Sequence, residues 1–180
     1  MTTKSKLPRK LKKIQKKLML LANPCDGSPT WSKAPSPSNN PLTTMEWATG
    51  TKKDKFGCTR TNADGSKKFH AGIDIKAAIG TDCFATEDAT VTDVGSGSDL
   101  GSWVAISFTK GGKKYGVAYC HLSKQSVKNG DKLKKGNKVG ETGISGNADA
   151  SNPHLHLEVQ DQIWVAADGA THGLDPNDYI

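Results

Sequence analysis

Asn152–Val159 reads NPHLHLEV. Leu155, Leu157 and Val159 alternate with His154, His156 and Glu158, a period of two that belongs to an extended strand with one apolar and one polar face. A second stretch, FHAGIDI at Phe69–Ile75, has the same character: Ile73 and Ile75 alternate with Asp74, and His70 lies four residues before Asp74. Strand residues two or four apart project to one side, so His154 with His156, and His70 with Asp74, can each converge. Neutral imidazole and carboxylate are donors that Zn²⁺ takes, and a catalytic zinc keeps three protein ligands with water in the fourth position. The two stretches therefore read as a catalytic zinc site. An isolated H-x-H carries little weight. Here, however, four of the five histidines, His70, His121, His154 and His156, gather in a few short segments, and only His172 stands apart.

Five blocks follow one another along the chain: FGCTR (56–60), FHAGIDIKAAIGTDCFATEDATVTDVG (69–95), YGVAYCHLS (115–123), KLKKGNKVGETGISGNADASNPHLHLEV (132–159) and GLDPNDYI (173–180). From about Asn40 onward, this order resembles the M23 peptidases, the lysostaphin-like or LytM-type zinc endopeptidases of bacterial cell walls. The resemblance implies an all-β fold with little helix, an antiparallel β-sandwich or barrel-like core of the duplicated hybrid-motif kind, with zinc in a groove between loops. It further implies one Zn²⁺ held by His70, Asp74 and His156, with His121 and His154 as catalytic residues. All five positions are filled, whereas degenerate relatives lack ligands and act as non-enzymatic wall-binding or amidase-activating domains. The expectation is thus a zinc endopeptidase that cuts peptide cross-links of peptidoglycan. The family divides between glycine-rich bridges and direct D-amino-acid cross-links of stem peptides. With no appended wall-targeting domain in these 180 residues, the second, DD-endopeptidase chemistry is the expectation. A monomer is expected, with a cognate inhibitor or secretion machinery as further partners.

Length and composition suit one such domain: 180 residues build a single core, and 34% hydrophobic residues with 19 Gly and 8 Pro suit a loop-rich β fold. No run of eighteen apolar residues occurs, so no transmembrane helix is expected. The net charge of +7 is uneven. Lys4, Lys6, Arg9, Lys10, Lys12, Lys13, Lys16 and Lys17 fall in the first 25 residues without an acid, which leaves the remainder nearly neutral. That neutrality, and the lack of an aromatic-basic pattern, argue against a nucleic-acid partner. In the basic arm at 1–23, Leu7, Leu11, Ile14, Leu18 and Leu21 form an apolar stripe, which reads as a short amphipathic helix for an anionic surface or as a solvated tail. Its apolar run at 18–22 is short against a secretory h-region of about seven to fifteen residues. Action on the wall, in the periplasm or outside the cell, would then need a specialised secretion apparatus, lysis or a separate leader. Residues 24–40, dense in Pro, Ser and Asn, read as a linker into a domain at 41–180, with Trp31 and Trp47 as packing residues.

Strands are expected at Ile73–Ile75, Cys83–Ala85, Thr90–Val94, Trp103–Phe108, Tyr115–His121 and His154–Val159. Gly136–Gly146 reads as turn chemistry whose glycines let the backbone approach the groove. The cysteines Cys25, Cys58, Cys83 and Cys120 lack a C-x-x-C pair; disulfides suit an oxidising compartment, Cys58–Cys120 being one pairing, and Cys83 reads as a buried small hydrophobe. Cys120 beside His121 is a poor nucleophile pair, because adjacent strand residues face opposite ways. Glu158 shares strand parity with the histidines, either orienting a ligand imidazole or standing as an exposed strand-end charge. A cupin-like site is disfavoured, since His70 and Asp74 lie upstream of the H-x-H.

Overall fold

The computed structural model describes residues 24, 25 and 32–179; the basic arm and Trp31 lie outside them. In chain order the strands are β1 (Gly57–Thr61), β2 (Lys67–His70), β3 (Gly72–Lys76), β4 (Asp82–Phe84), β5 (Ala89–Gly97), β6 (Gly101–Lys110), β7 (Lys113–Gln125), β8 (Lys132–Leu133), β9 (Lys138–Thr142), β10 (His154–Gln160) and β11 (Gly173–Leu174). One short helix, α1 (Gly169–His172), and two 3-10 turns, Lys52–Asp54 and Pro176–Tyr179, complete the described elements. The fold is all-β: β1 and β2 form a hairpin, and the other nine strands form one sheet whose central path runs β11-β10-β7-β6-β5-β8.

The period of two accounts for the packing. On β10, Leu155, Leu157 and Val159 enter the main core with Ile73 and Ile75 of β3, while His154, His156 and Glu158 take the opposite face. Strand β7 is buried on both faces: Val117 and Tyr119 join the main core, whereas Ala118 and Cys120 join Ala105 and Trp164 in a second cluster. Small side chains there admit the Trp164 segment, and a Cβ on Gly116 would stand 2.3 Å from the Trp164 nitrogen. The β6–β7 turn is Gly111-Gly112 with φ of 58° and 75°, the positive pair that a two-residue hairpin turn requires.

Most of the expected strands appear; the turn reading of Gly136–Gly146 does not survive whole, because Lys138–Thr142 forms β9 between β4 and β7. Its pattern is obscured by Gly140, whose missing Cβ makes room for the Lys124 carbonyl oxygen 2.5 Å from where that atom would sit. The close approach expected of this segment is present at Gly146, where φ is 72° and a Cβ would lie 2.2 Å from the Gly101 nitrogen. Part of the Pro/Ser/Asn-rich stretch is docked on the sheet. Lys33 bridges Asp175, Ser38 and Asn39 donate to the Thr86 carbonyl, and Ala34 and Leu42 are buried in the core. Trp47 packs partly buried against the same core.

The disulfide links Cys25 to Cys58, in place of the Cys58–Cys120 pairing, and Cys83 and Cys120 are buried thiols. Cys120 could not reach Cys58, since it faces the Trp164 cluster, and burial holds its thiol well above the usual range. Protein denatured without reductant should titrate two thiols, and four after reduction. Cys25→Ser should lower stability by about 3–4 kcal/mol in chemical denaturation, the chain-entropy value for a loop of this separation.

Candidate active site

Register brings the two motifs together. Strands β3 and β10 are antiparallel, with His156 directly opposite Asp74, and β2 ends at His70 just before β3 begins. The His70 Nε2, Asp74 carboxylate and His156 Nδ1 atoms lie within 4.8 Å of one another, and all three residues are buried. His70 Nε2 is 3.0 Å from His156 Nδ1 and 3.2 Å from Asp74 Oδ1, and His156 Nδ1 is 2.9 Å from that same oxygen.

The far sides of both rings are occupied by acceptors. His70 Nδ1–H donates to the Lys55 carbonyl at 2.9 Å, so Nε2 is the nitrogen left to bind. His156 Nε2–H donates to Glu158 Oε1 at 3.2 Å, so Nδ1 is the one it presents. Glu158 is 3% exposed, which removes the reading of it as a surface charge. Its other oxygen accepts from Trp164 Nε1 at 2.7 Å, a buried chain that holds the His156 ring in one orientation.

The electrostatics call for a cation. Burial pushes the His156 pKa down, but the Asp74 and Glu158 carboxylates outweigh it and raise the group to about 9. Burial alone would raise the Asp74 pKa; the His156 and His70 imidazoles beside it outweigh this and hold it well below the usual carboxylate range. Burial also lowers that of His70. Release of the His156 Nδ1 proton to an incoming cation would leave two imidazole lone pairs and a carboxylate oxygen converging on one buried point. The donor set fits a zinc ion with three protein ligands.

His121 and His154 stand beside this triad without joining it. Their rings are 5.1 Å apart, and the His121 ring is 5.7 Å from that of His156. His121 Nδ1–H donates to the Ser145 carbonyl and His154 Nδ1–H to the Asn152 carbonyl, both at 2.9 Å. A carbonyl only accepts, so each ring keeps its Nε2 lone pair; that of His154 lies 3.8 Å from Asp74 Oδ1. Burial foremost, and the positive charge of His156 next, lower the His121 pKa to about 4. His121 has φ of 61° and sits where the β6–β7 register slips between Ser102–Leu122 and Val104–Tyr119. This bulge re-aims the side chain, which strand alternation alone could not foretell.

Two residues of the site were not legible in the sequence reading. Trp164 had no signal, since its contact with Glu158 depends on a loop returning over β7. Arg60 ends the FGCTR block, where a charge in an otherwise short apolar and polar run was the available hint. Its Nη2 donates to Asp74 Oδ2 and lies 3.0 Å from His70 Nε2, and its Nε donates to the Lys53 carbonyl at 3.1 Å. Arg60, Asp74, His121 and His154 line one cleft of about 200 Å³.

Residues 68–168 match the model of peptidase family M23, a span that contains all five histidine and aspartate positions of the site; the chain belongs to this family. It is 34% identical over 90 residues to the peptidoglycan DD-endopeptidase ShyA of Vibrio cholerae, covering 50% of this chain and 20% of that protein. It is 33% identical over 89 residues to the glycyl-glycine endopeptidase ALE-1 of Staphylococcus capitis, covering 49% and 24%. The chain thus matches only about a fifth to a quarter of the length of these relatives. Among solved structures it is similar to a zinc containing peptidase from Vibrio cholerae, with 26% identity, a TM-score of 0.57, and coverage of 71% of this chain and 37% of the other.

Glu158→Gln, which weakens the acceptor behind His156, should reduce zinc affinity about 10- to 100-fold in a chelator competition while the fold is retained.

Proposed function

We propose that the protein is a zinc-dependent endopeptidase that hydrolyses peptide cross-links of bacterial peptidoglycan, of the direct D-amino-acid type, acting in the periplasm or outside the cell. The carrying observation is the buried His70, Asp74 and His156 cluster flanked by two histidines whose Nε2 atoms have no backbone partner among the described residues. The peptidoglycan substrate is supported by relatives named for cutting it. Their near-equal identities, 34% and 33%, do not discriminate between direct and glycine-bridged links. A non-enzymatic wall-binding role on the same fold would need missing ligands, and these positions are all filled.

Zinc would be held by His70 Nε2, Asp74 and His156 Nδ1, and when bound it supplies Lewis-acid polarisation of the scissile carbonyl and an acidified water. The chain's residues supply the proton handling. Adding His121 or His154 to the ligand set would close the open position, so they serve as acid and base. One Nε2 accepts the proton of the attacking water and returns it to the departing amine. The other, once protonated, donates to the oxygen that gains charge. A His121 pKa near 4 keeps that ring an unprotonated acceptor at neutral pH. The Ser145 and Asn152 carbonyls fix both tautomers, so little reorganisation is needed at the reacting bond. Among the described residues no helix is long and apolar enough to cross a membrane.

His156→Ala should lose both zinc and hydrolysis of purified muropeptide dimers. His154→Ala and His121→Ala should each retain zinc and lose about 10²–10⁴-fold in rate. Zinc measured by elemental analysis, with product identified by mass spectrometry, checks both; full activity of the His154 variant would overturn the assigned roles.

A further inference from the structure

We propose that Arg60 selects the substrate by binding a free carboxylate on the carbon attached to the scissile amide nitrogen, the arrangement found where a D-amino acid is joined directly to the side chain of diaminopimelate. The inference rests on the peptidase reading above and concerns which cross-link that site accepts. In a diaminopimelate cross-link the carbon bearing the amide nitrogen also bears a carboxylate. In a glycine bridge the corresponding carbon bears two hydrogens and an uncharged peptide carbonyl in place of the carboxylate.

Arg60 is built into the cleft rather than trailing across it. Its Nε is tied to the Lys53 carbonyl at 3.1 Å, in the 3-10 turn Lys52–Asp54. Asp54, 1% exposed, holds that turn by accepting from Thr49 N at 2.8 Å, Thr49 Oγ1 at 2.7 Å and Thr51 N at 3.2 Å. Two residues before Arg60, the disulfide at Cys58 anchors the same strand. The guanidinium plane is therefore held from both ends of the side chain, by Lys53 and by Asp74 Oδ2.

What this plane leaves unused is its recognition edge. Nη2 bonds Asp74 Oδ2 and lies 3.0 Å from His70 Nε2, a contact it would give up to zinc, while Nη1 makes no hydrogen bond with the described residues. A guanidinium keeps its charge at any working pH and offers parallel N–H groups that match a carboxylate. The side chain is 33% exposed and lines the same cleft as His121 and His154. Asp74 takes Nη2, and the other neighbouring acids do not compete for the rest of the group. Asp54 is engaged by Thr49 and Thr51, and Asp149, across the cleft, accepts from Ser151 N and Oγ at 2.9 and 2.7 Å. A cation beside the reacting atoms, with donors to spare, is suited to an anionic group adjoining the scissile bond and meets only a neutral carbonyl in a glycine bridge.

The test uses the zinc-loaded full chain with three substrates: a muropeptide dimer joined by a D-alanyl–diaminopimelate bond, the same dimer with the adjoining carboxylate amidated, and a pentaglycine-bridged dimer. Wild type should favour the carboxylate over the amide in kcat/KM by about tenfold or more, the worth of one hydrogen bond to a charged group. Arg60→Gln, which also removes a partner of Asp74, should slow the carboxylate dimer about tenfold more than the amide dimer and so bring that ratio to within about twofold of unity, and Arg60→Lys should recover part of it. Zinc content and melting temperature should match wild type in both variants. Equal losses on carboxylate and amide, or loss of zinc, would mean that Arg60 only supports Asp74 and would overturn the proposal. Preference for the glycine bridge would overturn it too while leaving the peptidase reading intact. Failure of wild type to cut any dimer would remove that reading itself.

Discussion

The antiparallel pairing of β3 with β10 sets His156 opposite Asp74, and much of the site follows from that one register. A slip of one residue would turn the histidines toward the leucine core and Leu155 and Leu157 toward the ligand face. The slip is opposed from both sides of the sheet. On one face Ile73, Ile75, Leu155, Leu157 and Val159 are fully buried; on the other the polar set is closed over as well, with Glu158 reaching Trp164. Packing of the apolar face and hydrogen bonding of the polar face select the same alignment.

Burying that polar face is costly unless every group finds a partner. The fold meets the requirement in layers. Lys55 backs His70, Glu158 backs His156, and Trp164 backs Glu158. Ser145 and Asn152 carbonyls back His121 and His154. These partners come from the 3-10 turn region, from β10 itself, from the segment after it and from the glycine-containing loops, so the site depends on closure of the whole sheet. The loop of Ser145 is admitted against Gly101 because neither Gly101 nor Gly146 carries a Cβ, and both have positive φ. Loop chemistry and the placement of His121 are thereby coupled: substituting either glycine strains the segment that fixes the His121 tautomer.

Strands β3 and β10 were legible because their alternation is strong and their apolar partners are large; β2, which carries His70, was not among the expected strands. Lys138–Thr142 was not, since Gly140 interrupts the pattern for the sake of a backbone contact with Lys124. The cysteine pairing was equally hidden. Cys58 and Cys120 both lie in strand-like runs, but the sheet turns Cys120 into the cluster around Trp164, while the segment bearing Cys25 meets β1. Arg60 was present in an ordered block without a role that pattern could assign, because its importance is its distance to Asp74, fourteen residues on.

Residue type and spacing were enough to determine that His154, His156 and Glu158 share one face of a strand, since side-chain direction in a strand follows a local period of two; His70 and Asp74, expected to converge from one strand, instead fall on separate strands, β2 and β3. Residue type and spacing also determined that five groups suited to holding a metal and moving protons were all present. Which nitrogen of each imidazole faces inward, that Glu158 and Trp164 brace His156, that His121 turns through a bulge at positive φ, and that Arg60 meets Asp74 were settled only when the chain closed on itself. Hydrogen-bond partners are set by distances between segments remote in sequence, and no local pattern encodes those distances.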